Sequence, residues 1–171
     1  MKKNGFTLVE LLIATVLFSV LAAVISWTFL VGLRVWNSGS IRAELRQSAN
    51  LSMERMVREL SAASVINTAK SDEVDFDADL DGNGVAETIK FDVSNDDILE
   101  RTEDKASVTM ARDVQAFTLG YYLDGNNDDL ESPVTGPRKN DIRVIVITLT
   151  LNNGDETFTL SSGVYIRNQE L

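Results

Sequence analysis

Glu10 stands at the head of a run of 23 residues, Leu11 to Leu33, that carries no charge. An acidic side chain at the centre of a bilayer helix costs roughly 2.5–3.5 kcal/mol on insertion scales, and less near an end. A carboxylate so placed needs a compensating group, and a second copy of the same kind of chain can supply one. A second set of oxygen ligands lies further on. Asp77, Asp79 and Asp81 follow a one-three-five spacing with Gly82 sixth, as in calcium loops, and Asn83 comes next. The pattern is incomplete, because the twelfth position is Thr88 and the nearest acid, Glu87, falls one residue early. In a strand the alternate aspartates Asp75 to Asp81 would simply share a solvent face. Both readings stand, a calcium loop and a solvated edge with a Gly-rich turn.

Other chemistry is narrowed by what is missing. The chain has no histidine and no cysteine. That removes the commonest general base, the thiol nucleophile and zinc sites built from His or Cys. No constellation of paired carboxylates is placed for catalysis, so the expectation is a protein that is not an enzyme. The formal charge is −10, from 16 basic and 26 acidic residues. Nucleic-acid binders show a basic footprint, so no nucleic-acid partner is expected.

The elements that must position Glu10 begin with the apolar run itself. As a helix, 23 residues span about 35 Å at 1.5 Å per residue, enough to cross a hydrocarbon core of about 30 Å. The run is too long for the apolar region of a cleaved secretory signal, which is about 7–15 residues. A permanent signal anchor also fits the length. Lys2 and Lys3 favour a cytoplasmic start, although Arg34, Arg42 and Arg46 lie on the other side.

The block Lys2-Lys3-Asn4-Gly5-Phe6-Thr7-Leu8-Val9-Glu10, followed by Leu-Leu-Ile-Ala, resembles the leader of type IV pilins and type II secretion pseudopilins. The resemblance implies a type IV pilin-like α+β fold, with a long N-terminal helix packed on a mainly antiparallel sheet. It implies that a prepilin peptidase cuts after Gly5, removing residues 1–5, and that Phe6 becomes an N-methylated terminus. The mature charge would then be −12, since Lys2 and Lys3 are lost from 16 basic residues. An α-ammonium has an ordinary pKa of about 7.7–8.0, and methylation keeps its charge. Phe6 and Glu10 are four residues apart on one helical face, and they are the pair expected to dock one subunit on the next. The partners implied are other pilins or pseudopilins, the peptidase, the inner membrane and its assembly platform. The place implied is the inner membrane, crossed once with the C-terminal domain in the periplasm, and then a pilus or pseudopilus. Arg55–Ala63, Asp113-Val114, Tyr121-Tyr122 and the closing Val164-Tyr165-Ile166-Arg167-Asn168 resemble minor pilins of the PilW and pseudopilin J type. That likeness implies a minor subunit in a tip or priming complex.

Along the chain, residues 6–33 are expected to form the membrane or filament-core half of one helix, and 34–66 its amphipathic half. Ile41, Leu45, Ala49, Met53, Met56, Leu60 and Ala63 step by three or four and trace one stripe. Arg55, Arg58 and Glu59 fall largely on other faces, and Gly32 and Gly39 offer a place to bend. The stripe suits a coiled coil or packing on a sheet, and the strands downstream favour packing. Residues 70–171 are expected to form the β-rich domain. Val74, Phe76 and Ala78 alternate with acids, and a turn at residues 81–84 leads into Ile89, Phe91 and Val93. Further strands are predicted over 98–102, 114–123 and 142–151, the last apolar on both faces. Asn152-Asn153-Gly154-Asp155 predicts a hairpin into a last strand or pair of strands over 157–167. A 17-residue stretch, 124–140, is read as a long loop. Its Asp124, Asn126, Asp128 and Asp129 either contact a neighbouring subunit or do nothing.

Overall fold

The computed structural model describes residues 7–124 and 129–166. The chain falls into two compact units, Met1–Ser40 and Ile41–Leu171. One helix, α1 (Leu8–Ser61), runs through both, and its helical state is unbroken at Gly32 and Gly39. In the first unit its large apolar side chains are all exposed, with Trp27 at 71% and Trp36 at 81%. Its hydroxyls are turned inward. Thr15, Ser19, Ser26 and Thr28 each donate to a carbonyl three or four residues back, at 2.8–2.9 Å. No hydroxyl among these is left to the surroundings, as a helix in hydrocarbon requires. The helix is long and apolar enough to cross a membrane.

In the second unit the expected stripe is the buried face of α1. Leu45, Ala49, Met53, Met56 and Leu60 are buried, and Ile41 packs partly against them. The helix stops at Ser61, about four residues before the predicted end, because strand pairing begins. Ala62 and Ala63 close the last turn with bonds to carbonyls three residues back, and Ser64 then donates to the carbonyl of Asp77 at 2.8 Å. Val65, Ile66 and Thr68 are β-branched, and they open a strand that the sequence reading assigned partly to the helix.

Among the described residues all strand pairs are antiparallel, and they form two sheets rather than the one expected. The first has five strands in sequence order: β1 (Val65–Ala69), β2 (Glu73–Ala78), β3 (Glu87–Val93), β4 (Leu99–Glu103) and β5 (Ala106–Ala111). The second has three: β6 (Val114–Leu123), β7 (Ile142–Asn153) and β8 (Glu156–Tyr165). Val74, Phe76 and Ala78 point into the core opposite Phe91, Ile89 and Glu87, as the alternation predicts. β7 is central, but its buried residues are Ile142, Ile145, Ile147, Leu149 and Leu151, while Val144 and Val146 on the other face are half-exposed. The two sheets are joined where Leu119 donates to the carbonyl of Ser71 at 2.7 Å. Tyr121 lies fully buried there and donates its hydroxyl to the carbonyl of Lys70 at 2.7 Å. Burial, with Asp72 and Glu73 nearby, pushes its phenol well above the ordinary range.

The outer face of β2 and β3 is more crowded than a solvated edge. Asp75 pairs opposite Lys90, and Glu73 opposite Asp92, with Lys90 donating to Asp92 at 2.6 Å. One carboxylate oxygen each of Asp75 and Asp92 is buried without a hydrogen bond. Burial first, and the neighbouring Asp77 second, raise the pKa of Asp75. A carboxyl raised on folding stabilises the protein below its unfolded pKa of about 3.9 and loses that contribution as pH climbs through the folded value. Asp75→Asn is therefore expected to raise the melting temperature at pH 7, with the gain vanishing near pH 3.5. Thermal melts followed by circular dichroism at the two pH values check it.

Candidate subunit-docking site

At the start of α1, Thr7 is the residue before the first helical turn and Glu10 the third within it. The Thr7 amide and hydroxyl both donate to Glu10 Oε2, at 2.9 and 3.0 Å. The Glu10 amide in turn donates to Thr7 Oγ1 at 3.2 Å. This is a capping box, in which two of the orphan amides at a helix start are satisfied reciprocally. The sequence reading gave Glu10 no partner in its own chain, and here it has one. The signal was legible as Thr-x-x-Glu before an apolar run. Both bonds fall on Oε2, so Oε1 accepts no hydrogen bond among the described residues. The carboxylate is thereby held in one orientation with one oxygen available to a cation. Gly5 and Phe6, predicted for processing and docking, lie outside the described residues.

The acidic loop is brought together in part. Carboxylate oxygens of Asp79, Asp81 and Glu87 lie within 4.8 Å of one another. Asp77 is drawn elsewhere, accepting from Asn67 and Thr88 at 2.8 Å each. Asn83 Oδ1 accepts from the Val85 amide at 2.7 Å. Asp79 accepts amides of Gly82, Asn83 and Gly84 at 2.8–3.1 Å, Asp81 accepts that of Asn83, and Glu87 accepts that of Leu80. Gly82 and Gly84 sit at φ +74° and +84°, where side chains are disfavoured. Backbone N–H groups thus already offset the repulsion between these acids. The five-ligand set expected from spacing reduces to three carboxylates.

The stretch read as a long loop holds structure of its own. Glu131 pairs with Tyr121 and Val134 with Ala69, and a short 3-10 helix covers Gly136–Asp141. Gly120 makes room for this segment, since a Cβ there would lie 2.8 Å from Leu130 Cδ1. Asp124 meets Arg143 at 3.5 Å, and Asp129 is exposed. Asn126 and Asp128 lie outside the described residues.

Sequence reasoning also misplaced Glu59, which it put on an outer face. Glu59 is buried at 2% exposure and accepts from Arg55 Nε at 2.8 Å and from buried Arg101 Nε at 2.6 Å. Arg101 also reaches Glu103. Burial works against the Arg101 charge, but bonds to Glu59 and Glu103 outweigh it and hold its pKa above the ordinary value.

An exposed membrane-length helix headed by an oriented carboxylate, followed by antiparallel sheets packed on the helix's second half, is the architecture of a pilin-like protein. Residues 1–26 match the family described as the prokaryotic N-terminal methylation motif. This match supports membership of the type IV pilin and pseudopilin family. It implies dealings with a prepilin peptidase and with other pilins, and a structural rather than enzymatic role. No curated protein matches the chain.

Proposed function

We propose that the chain is a minor pilin or pseudopilin, of the PilW or pseudopilin J type, that joins a filament tip or priming complex. It waits in the inner membrane with its second unit in the periplasm, and the assembly platform then draws it into a type IV pilus or a type II secretion pseudopilus. The observation that carries this is Glu10, fixed by Thr7 at the head of an exposed apolar helix inside the methylation motif. In an apolar bundle a charge pair is worth far more than in water. The Glu10 carboxylate receives the methylated Phe6 ammonium of a neighbour. Intact-mass measurement of the protein extracted from its membrane tests the reading. The expected mature chain begins at methyl-Phe6, and Gly5→Leu leaves the leader attached. An intact Met1 on the native protein means a permanent anchor instead.

The converging carboxylates of Asp79, Asp81 and Glu87 favour a second reading, an anchored module that binds calcium. Three carboxylates supply only part of the six to eight oxygens that calcium takes, so affinity is expected in the millimolar range of extracellular modules. Calorimetry of the full chain in detergent at millimolar calcium decides it. Heat that Asp79→Asn removes supports the site, and no heat ends it.

A further inference from the structure

The two sheets have four edges, and the chain seals two of them itself. On β6, Tyr121 exchanges both backbone bonds with Glu131, at 2.8 and 2.9 Å, and Ser132 donates to the Leu119 carbonyl at 2.7 Å. On β1, Val134 donates to the Ala69 carbonyl at 2.9 Å and Lys139 reaches the Asn67 carbonyl. On short β5, Ser52 of the helix caps the Met110 carbonyl at 2.9 Å. β8 is different. It is ten residues long, pairs with β7 without a bulge, and carries no charge or proline from Thr157 to Tyr165. Proteins commonly blunt free edges with exactly those devices, because an open row of N–H and C=O groups invites a further strand.

The direction of those groups follows from the hairpin. β7 and β8 are joined by a two-residue loop, so the closing pair Asn153 and Glu156 exchanges hydrogen bonds and the pairs alternate from there. The side-chain bonds Asn152–Thr157, Thr150–Thr159 and Thr148–Ser161, at 2.7, 3.0 and 2.7 Å, mark the intervening non-hydrogen-bonded pairs, where side chains approach most closely. The N–H and C=O of Thr157, Thr159, Ser161 and Gly163 therefore point away from β7. No backbone or side-chain group among the described residues meets those of Thr157, Thr159 or Ser161 from outside. Beside this edge runs a largely apolar groove lined by Met53, Glu54, Val57 and Arg58 of α1 and by Leu160 of β8.

We propose that the β8 edge takes an extended strand from a different, less acidic filament subunit, whose alternate apolar side chains enter the groove. Only an extended backbone matches donors and acceptors repeating at the strand period. A second copy is disfavoured by charge, since each chain carries −10 uncut and −12 once Lys2 and Lys3 are lost from its 16 basic residues against 26 acidic. The inference rests on the filament reading. The test places a photo-crosslinking residue at Thr159 of the full chain in its producing cell, with and without Ser161→Pro. Proline removes an outward N–H and leaves the β7 ladder intact, a substitution that edge strands tolerate. The expected result is an adduct with a non-identical subunit in isolated filaments, lost on Ser161→Pro, while the melting of the purified full chain holds. If the proline variant melts much lower, Ser161→Lys carries the comparison, with the same loss expected. An adduct indifferent to both substitutions overturns the proposal. So does an adduct of two copies of this chain, or filaments that contain the chain and give no adduct. A chain that never enters filaments overturns the filament reading, and this inference with it.

Discussion

Glu59→Ala is expected to lower the melting temperature of the full chain in detergent by roughly 10–20 °C, corresponding to about 3–5 kcal/mol. The size comes from what is left behind rather than from the bond itself. Arg101 has only 5% of its side chain exposed, and Glu59 is its buried partner, while Glu103 reaches it from a side chain 41% exposed. Without Glu59 the guanidinium keeps its charge in the core with half of its compensation gone, and Arg55 loses its partner too. A buried pair replaced as a unit behaves differently from a broken one. Glu59→Leu combined with Arg101→Met should therefore recover most of the loss. Circular-dichroism melts of the two singles and the double make the cycle. A Glu59→Ala shift of only a degree or two sinks the account of this network.

The same residue shows where the sequence stops being informative. Glu59 sits one position from the apolar stripe of α1, and periodicity alone assigns such a residue to the surface. Its burial depends on Arg101, 42 residues away, arriving on β4. Elements that bury one clean face were legible: β6 has the bounds expected from its pattern, and the stripe from Leu45 to Leu60 is the helix face in the core. β5 was missed because an edge strand with Ala106 to Thr109 exposed leaves no alternation to read. β1 was missed because five residues directly after a helix look like its frayed end. The division into two sheets was likewise invisible, since alternation reports which face is buried and not which strand lies beside it. At the candidate docking site, the leader motif was legible in the sequence. Thr7 carries no charge to mark it, and as a capping residue it is signalled only by its spacing to Glu10.

Glu10→Ala is expected to leave leader cleavage and the melting of the second unit unchanged while removing the chain from filaments almost completely. In the proposed docking Glu10 has two jobs, and their magnitudes differ. Losing a capping interaction costs about 0.5–2 kcal/mol and acts on the first helical turn. Losing the charge leaves a neighbour's ammonium unpaired in an apolar bundle, where an unpaired ion is far more costly. Glu10→Gln separates the two, because glutamine keeps the capping box with Thr7 and carries no charge. It should fail to incorporate nearly as badly as alanine. Thr7→Ala does the reverse, keeping the charge and releasing its orientation, and should reduce incorporation only partly. Filament fractions probed for the three variants against wild type give the order. If Glu10→Gln entered filaments like wild type while Glu10→Ala did not, the carboxylate would matter as a helix cap, and the charge pairing between subunits would be wrong.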